Sequence, residues 1–274
     1  MRVVGICRFS YPALGGFKRM HDTIAAREAY LYAAPRMDLR FRHFETLTLP
    51  SIRAQKDPDF TFLVLVGDSL PKPYLERLHD ITANVPQIKI IAKEPMKHRL
   101  AMQIAIKEEL GDDKEESIQF RLDDDDAVAI NFVRSTRWFG RHTAPMRKRW
   151  KNMAFEYNTG FSVSLSADGI KAEEVQSPFW ACGLAVLFKP GDRKTVMNYA
   201  HHRLHTHMPT MINPHPYMYL RSKHEDNDSE AAYKTGVLKP LDAAQRTLLK
   251  ARFDVDEEHV KRVFGAPAVP LASA

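Results

Sequence analysis

The segment that decides the fold of this sequence is an apolar stretch that runs directly into four aspartates. It reads Ser117-Ile118-Gln119-Phe120-Arg121-Leu122-Asp123-Asp124-Asp125-Asp126. The first six residues are typical of a buried strand. Because alternate side chains share a face in extended backbone, Asp123 and Asp125 should lie on one side, with Asp124 and Asp126 on the other. Adjacent carboxylates repel one another, so the cluster requires a compensating cation or full solvation.

A divalent cation is the first interpretation of this cluster, and an acidic surface turn is the second. Hard ions such as Mg²⁺ and Mn²⁺ take one or two protein carboxylates and complete their shell with phosphate oxygens and water. The position directly after a hydrophobic strand favours the cation, because surface turns do not require such a strand. We therefore expect a divalent metal, Mn²⁺ or Mg²⁺, as cofactor.

Strand and helix signals alternate before this segment. Strand patterns occur at residues 2–7, 60–66 and 88–92. Apolar stripes at helical spacing lie near residues 41–52, 74–81 and 102–110. Pro50 interrupts the first of these stripes and should kink that helix. This alternation predicts an α/β fold with a parallel sheet and right-handed crossovers. Ligands of such sheets bind beyond the carboxyl ends of the strands, here Arg8-Phe9-Ser10, Gly67-Asp68-Ser69 and the residues from Asp123 onward.

The second half of the chain has a different pattern. Alternation over 153–157 and 161–165 around Asn158-Thr159-Gly160 predicts a hairpin. Residues 179–188 and 217–220 predict strands, and residues 193–204, 242–252 and 254–264 predict helices. The simplest organisation is a single domain over 1–264, with a frayed tail over 265–274.

Composition excludes several classes of protein. The chain has 274 residues, 44% hydrophobic and 27% charged, which is ordinary globular composition. Two cysteines do not make a disulfide framework, and no run of about 18 apolar residues predicts a membrane span. We therefore expect a cytoplasmic protein, at most peripheral to the inner membrane.

The excess of basic residues, a formal net charge of +6, is partly local. Residues 134–151 combine arginines and lysines with Trp138, Phe139 and Trp150. A solvated face is one interpretation, and a rim for a diphosphate or an anionic membrane surface is another. No nucleic-acid-binding motif accompanies the stretch, so nucleic acid is not an expected partner.

Two classes of enzyme place acidic pairs after a strand. Phosphatases with an Asp-x-Asp-x-Val nucleophile motif match the spacing of Asp124, Asp126 and Val128. That motif belongs to the first strand of its domain, however, whereas three predicted strands precede this one. Glycosyltransferases with a nucleotide-sugar-binding fold are the other class.

Several segments resemble a bacterial rhamnosyltransferase family, and residues 44–68 are similar to the first βαβ unit of family-two glycosyltransferases. The segments are Arg8-Phe9-Ser10, Gly67-Asp68-Ser69-Leu70-Pro71, the stretch from Gln119 to Val128, Ala181-Cys182-Gly183-Leu184-Ala185-Val186, and His224 with Asn227-Asp228-Ser229. The resemblance implies a GT-A-like fold, with a mainly parallel sheet flanked by helices and a mixed second half. It implies a nucleotide-binding half over 1–128 and an acceptor-binding half over 129–264.

The same resemblance implies the site. The residues implied in substrate binding are Arg8, Ser10, Asp68, Arg121, Asp123 and Asp124. The implied metal ligands are Asp125, Asp123 and His224. The implied reaction is metal-dependent transfer of a sugar, rhamnose by this family, from a nucleotide-diphosphate sugar to a saccharide or other acceptor hydroxyl, with inversion.

A carboxylate would take the acceptor proton as general base, and the sequence offers Asp228 and Asp226, with Glu156 as a further candidate. Two alternatives stay open. One is the phosphatase with Asp124 and Asp126, and the other is a non-catalytic basic protein that binds anionic surfaces or nucleic acid.

Overall fold

The structure is a computed structural model that describes residues 1–15, 21–112, 114–224 and 236–268. Its strands are β1 (Arg2–Arg8), β2 (Thr61–Gly67), β3 (Ile88–Lys93), β4 (Ser117–Arg121), β5 (Asp126–Val128), β6 (Met153–Tyr157), β7 (Thr159–Ser166), β8 (Gly169–Gln176), β9 (Leu184–Phe188), β10 (Thr210–Asn213), β11 (Tyr219–Ser222) and β12 (Lys239–Pro240). Its α-helices are α1 (Ile24–Leu31), α2 (Ala34–His43), α3 (Leu49–Arg53), α4 (Lys72–Thr82), α5 (His98–Leu110), α6 (Phe132–His142), α7 (Ala243–Phe253) and α8 (Glu257–Gly265).

The main sheet has seven strands in the order β10-β6-β9-β4-β1-β2-β3. Strand β1 pairs in parallel with both β2 and β4, and β2 pairs in parallel with β3. Strand β9 runs antiparallel to β4 and β6, so the sheet is mixed at that side. The predicted α/β class, the four predicted strands of the first half and their parallel pairing are confirmed.

Alternate residues of β1 enter two different cores, as the period of two in a strand requires. Val3 and Cys7 belong to a large core that continues under helices α2 and α4 and into the second sheet. Val4 and Ile6 belong to a smaller core on the opposite face, closed by α5. The main sheet is therefore covered on both faces, which explains its near-continuous apolar strands.

The predicted helix around residues 41–52 forms with a wide turn inside it. Helix α2 continues through a π-helical turn over Phe44–Thr48 into α3. Pro50 lacks an N–H, and in a regular α-helix its ring would clash with the carbonyl of residue 46. The π turn directly before Pro50 avoids that clash, so the kink predicted from the sequence is realised as a π turn.

The predicted hairpin over residues 153–165 is wrong. Strand β6 pairs with β9 and β10 in the main sheet, whereas β7 pairs with β8 and β11 in a second, five-stranded sheet. The chain changes sheet at Asn158, and the hairpin that forms joins β7 to β8, with Ser166 opposite Gly169. Gly160 allows this geometry, because a Cβ there would lie 2.3 Å from the carbonyl oxygen of Tyr219.

The predicted helix over residues 193–204 is also wrong. Two short 3₁₀ helices form instead, Val196–Asn198 and His201–Thr206. Thr195 and Asn198 make a reciprocal capping box, and Tyr199 and Ala200 are extended. This local capping ends the first turn before a regular α-helix can propagate. The two predicted C-terminal helices are confirmed as α7 and α8, with Asp242 and Asp256 as N-caps.

The domain boundaries predicted from the sequence stay a prediction, and the tail from residue 269 lies outside the described residues. Strands from both predicted halves share the main sheet. Within the described ranges, no helix combines the length and the apolar character needed to cross a bilayer.

Candidate functional site

The acidic segment leaves the carboxyl end of β4 beside the carboxyl end of β1. The amide of Leu122 donates to the carbonyl of Ile6 at 3.1 Å, so the two strand ends stay in register up to the first aspartate. A cavity of about 220 Å³ opens there. Its charged wall residues are Arg8, Arg36, Arg40, Arg121, Arg221, Asp123, Asp124, Asp125 and Asp126.

Five of the residues predicted to bind substrate line this cavity together: Arg8, Ser10, Arg121, Asp123 and Asp124. Ser10 has a positive φ of 48°, which is rare for a residue with a side chain, and its buried hydroxyl has no hydrogen-bond partner among the described residues. A strained, unsatisfied polar group at a cavity wall is typical of a ligand contact.

Asp68 is the exception among these predictions. It is exposed at the carboxyl end of β2 and does not line the cavity. The glycine before it is packed closely, since a Cβ at Gly67 would meet the Tyr32 hydroxyl at 2.4 Å and the Pro12 ring at 2.7 Å. The space beside Gly67 is therefore filled by Tyr32 and Pro12 and is not open to a ligand.

Asp125 is the buried centre of the acidic segment. Its Oδ2 accepts hydrogen bonds from Arg40 Nη1 and from His224 Nε2, both at 2.8 Å. Burial alone would raise the pKa of Asp125, but Arg40 and His224 outweigh burial and hold that pKa below its ordinary value. Asp125 is therefore an ionised carboxylate that anchors two cationic or hydrogen-bonding partners from distant parts of the chain.

Asp124 has a different environment from its neighbour. Its Oδ1 lies 3.1 Å from Arg40 Nη1, while its Oδ2 is buried and has no hydrogen-bond partner among the described residues. Burial raises the pKa of Asp124 to about 7, opposed by Arg40 and reinforced by Asp125 and Asp123. An orphaned carboxylate oxygen of this kind would be satisfied by a proton, a cation or a donor group of a ligand.

Asp126 lines the cavity, but two of its oxygens are engaged by the fold. Its Oδ1 accepts from the amide of Ser222 at 3.0 Å, and its carbonyl accepts from the Thr48 hydroxyl at 2.8 Å. Burial, followed by the charges of Asp125 and Asp123, raises the pKa of Asp126 well above its ordinary value. In a phosphatase with this motif both Asp124 and Asp126 would act on the substrate, whereas Oδ1 of Asp126 is engaged by the amide of Ser222.

Comparison with known proteins identifies the family. Residues 2–235 match the family described as "Putative rhamnosyl transferase". The chain belongs to this family. The resemblance inferred from the sequence motifs is thereby confirmed. A search of curated proteins gives no match.

Solved structures similar to this rhamnosyl transferase family member include nucleotide-sugar enzymes. Residues 1–349 of TarS from S. aureus, in complex with UDP-GlcNAc, match at 11% identity, covering 85% of this chain and 62% of that chain, with a TM-score of 0.49. A protein from Desulfovibrio desulfuricans G20, described as a "putative nucleotide-diphospho-sugar transferase", matches at 9% identity, covering 84% of both chains, with a TM-score of 0.37. The chain thus spans less than two thirds of the length of the TarS structure.

The metal ligands predicted for this family member do not converge as a set. In the described ranges, no group of three or more His, Cys, Asp or Glu side chains is arranged to hold a metal ion. His224 and Asp125 contact each other, and Asp123 is exposed at the cavity. A metal that bridges a diphosphate needs only one or two protein carboxylates, however. The exposed carboxylate of Asp123 and the orphaned Oδ2 of Asp124 fit such an ion.

Two arginines that the sequence analysis missed complete the site of this family member. Arg36 and Arg40 lie one turn apart on α2 and both line the cavity. Arg36 is buried, and its Nε and Nη1 have no hydrogen-bond partner among the described residues. The spacing of four residues was a readable signal that both arginines share a helix face. The contact of Arg40 with Asp125, 85 positions along the chain, could not be read from the sequence.

Of the three candidate bases of this family member, Glu156 lies within the described residues. Asp226 and Asp228 lie outside the described residues. Glu156 is buried on β6, where its Oε1 accepts from the amide of Phe179, and it does not line the cavity. Burial raises the pKa of Glu156, with only partial opposition from that hydrogen bond and from His205. Glu156 is therefore sequestered from an acceptor that would bind in the cavity.

Proposed function

We propose that this protein transfers a sugar, rhamnose by its family, from a nucleoside diphosphate to an acceptor hydroxyl. The observation that carries the proposal is a pair of arginines that line the cavity and have buried nitrogens without a hydrogen-bond partner among the described residues, Nε and Nη1 of Arg36 and Nε of Arg121. A guanidinium stays protonated in proteins, so a buried one requires an anionic partner. A diphosphate supplies oxygens for several such donors at once.

The balance of charge in the cavity supports the same ligand. Arg40 is already engaged by Asp124 and Asp125, so its charge is compensated within the protein. Burial lowers the pKa of Arg121, which Asp123 partly opposes. Its guanidinium is thus poorly stabilised by the protein alone. A diphosphate that binds in the cavity would stabilise the positive charges of Arg36 and Arg121. It would thereby supply the anionic partner that these two wall residues lack among the described residues.

The donor is proposed to bind together with Mg²⁺ or Mn²⁺. Asp123 and Oδ2 of Asp124 are the groups that would hold the ion. Asp125 and His224 would support the site through their mutual hydrogen bond, or join as ligands as the family resemblance implies. When bound, a divalent ion neutralises charge on the departing diphosphate.

Arg36 and Arg121 act on the same charge from the protein side. Donors that are already oriented toward the leaving diphosphate stabilise the charge that accumulates as the glycosidic bond breaks. Ser10 would position the donor through its hydroxyl. The acceptor oxygen would attack the anomeric carbon from the face opposite the diphosphate and lose its proton to a carboxylate there, while the bond from that carbon to the diphosphate breaks. Attack from the opposite face gives inversion. The residues proposed for this role are Asp228 and Asp226.

Donor binding in solution tests this proposal. Calorimetry with uridine, thymidine and guanosine diphosphates, each with Mn²⁺, should identify one that binds the parent protein. Arg36→Ala should weaken that binding about 10- to 100-fold, because about 1.5–3 kcal/mol is lost with a hydrogen bond to a charged group. Arg42→Ala is the matched control, because Arg42 lies on the same helix but pairs with Asp38 at 2.6 Å.

Two outcomes would contradict the proposal. Equal affinity of the parent and the Arg36→Ala protein would show that the diphosphate does not bind at this cavity. Failure of the parent to bind any nucleoside diphosphate, together with hydrolysis of a phosphate monoester, would favour the phosphatase. Transfer itself is then measured with the rhamnose conjugate of the nucleotide that binds, with the anomeric configuration of the product determined by NMR.

A further inference from the structure

A second charged surface lies outside the cavity, on helix α6 and the segment that follows it. We call it the basic–aromatic patch and define it by its exposed cationic and large apolar residues. These are Arg134, Trp138, Arg141, Met146, Lys148, Arg149, Trp150 and Lys151. The buried face of α6 carries Phe132, Val133 and Gly140, so the helix is strongly amphipathic.

The patch is cationic because its segment contains no acid. Residues 132–151 include seven arginines and lysines but no aspartate or glutamate. Two of the seven are buried and paired, Arg137 with Asp57 and Arg147 with Glu116, each at 2.8 Å. The other five are exposed and form no ion pair with any residue the structure describes. The patch therefore carries five exposed positive charges and has no acid in its own segment.

Large apolar side chains stand among these charges. Trp138 is 53% exposed, Met146 42% and Trp150 39%. The Trp138 ring stacks on His142 with ring centroids 4.0 Å apart, and the Arg149 guanidinium lies 5.5 Å from the Trp150 ring centroid. Exposed apolar groups of this size that are rimmed by cations mark an interaction site rather than an ordinary solvated face.

The patch lies at the opposite end of the main sheet from the donor cavity. Arg137 donates to the carbonyl of Met1 and pairs with Asp57, and Arg147 pairs with Glu116. These partners come just before β1, β2 and β4, whereas the cavity lies beyond the carboxyl ends of β1 and β4. A partner bound at the patch would therefore leave the donor cavity open to solvent.

We propose that the basic–aromatic patch binds the surface of an anionic phospholipid bilayer. A helix with cations and tryptophan on its exposed face lies in the plane of the headgroups, where the indole rings enter the interface and the cations meet lipid phosphates. Nucleic acid fits less well, since bases stack on free aromatic faces and His142 and Arg149 already cover one face of each tryptophan. This inference is independent of the proposed sugar transfer.

Vesicle co-sedimentation tests the proposal. The parent should bind vesicles of phosphatidylcholine with phosphatidylglycerol, should not bind phosphatidylcholine alone, and should be released by salt. The double variant Arg141→Glu with Arg149→Glu should lower the partition coefficient at least tenfold. The matched control reverses two exposed charges elsewhere, Lys171→Glu with Arg203→Glu, and should keep binding.

The tryptophans give a second and direct measurement. Trp138→Ser with Trp150→Ser should weaken vesicle binding, and the parent's emission should shift to shorter wavelength on anionic vesicles and be quenched by brominated lipid. Nucleoside diphosphate affinity should stay equal in all these variants, so failure here and failure of the proposed transfer are distinguishable. Equal sedimentation of the parent and both patch variants would overturn the proposal. Absence of sedimentation, or tighter binding to single-stranded DNA through the same residues, would overturn it as well.

Discussion

Arg40 and Asp125 form a buried hydrogen bond of 2.8 Å between Nη1 and Oδ2, and this bond ties the first long helix to the acidic segment. The same guanidinium nitrogen lies 3.1 Å from Asp124 Oδ1. One cation thus pairs with both adjacent buried carboxylates, so Arg40 supplies part of the compensation that the sequence suggested would come from a metal or from solvent. Asp125 is consequently a structural anchor of the site as well as a predicted ligand.

The first prediction concerns the stability contributed by Asp125. Asp125→Ala should lower the free energy of unfolding by about 2–4 kcal/mol without any metal, because it leaves Arg40 buried with only Asp124 as a partner. Urea denaturation in the presence of a chelator measures this directly.

Asp123→Ala is the matched control for that experiment. Asp123 is exposed and pairs with no cation that the structure describes, so its removal should change stability by less than about 0.5 kcal/mol. Similar unfolding midpoints for Asp125→Ala and Asp123→Ala would show that the bond from Arg40 does not stabilise the fold.

The second prediction concerns the metal. Mn²⁺ should strengthen binding of the nucleoside diphosphate to the parent, and Asp123→Asn should remove most of that gain, because it removes the charge that faces the cavity. Calorimetry with Mn²⁺ and with a chelator gives both affinities. Asp168→Asn, which neutralises an exposed carboxylate at the β7–β8 turn, should behave as the parent. If chelation leaves the parent's affinity unchanged, the arginines alone neutralise the diphosphate and the metal proposal is wrong.

The third prediction separates stability from binding at Ser10. Glycine adopts a positive φ without the steric cost that serine has there, so Ser10→Gly should raise the free energy of unfolding by up to about 1 kcal/mol. The same change removes the hydroxyl from the cavity wall and should weaken donor binding. Ser10→Ala is the comparison, since it removes the hydroxyl but keeps the strained φ. Unchanged donor affinity in both variants would exclude Ser10 from the donor site.

The sequence predicted the fold where the determinants are local. The strands that became β1 to β4 were visible because buried parallel strands are apolar throughout and end at polar residues. The position of the cavity followed from the rule that ligands bind beyond those ends. By contrast, the change of sheet at Asn158 depends on Tyr219 packing over Gly160, a contact between residues far apart in the chain.

The same distinction applies to the candidate site. Asp123 and Asp125 stood out because four carboxylates in a row are rare and costly. Arg36 and Arg40 were overlooked because a helix with several arginines is ordinary on a surface. Only tertiary packing shows that both are buried at the cavity and that Arg40 pairs with the acidic segment. Ion pairs between residues far apart in the chain are therefore the part of such a site that one sequence alone does not predict.

The last prediction concerns pH and His43, which packs against His224 with ring centroids 4.4 Å apart. Its Nδ1 faces the carbonyl oxygen of Leu39 at 3.0 Å, which requires a proton on Nδ1, while Nε2 is buried without a hydrogen-bond partner among the described residues. Burial, reinforced by His224, lowers the pKa of His43 to about 4 from its ordinary value of 6.5. The unfolded chain therefore takes up this proton at a higher pH than the folded protein does.

Stability contributed by neutral His43 should accordingly be complete above pH 6.5 and decline as the pH falls toward 4. Asp124 acts in the opposite direction over the same range, because its pKa is raised to about 7 in the folded protein. The parent's own pH profile therefore mixes the two groups, and the informative quantity is the difference from His43→Gln, which does not titrate. Relative to that variant, the parent should lose about 2 kcal/mol of unfolding free energy between pH 7 and pH 5, measured by urea denaturation at each pH. If the unfolding free energies of the parent and His43→Gln change equally with pH, protonation of His43 does not destabilise the folded protein.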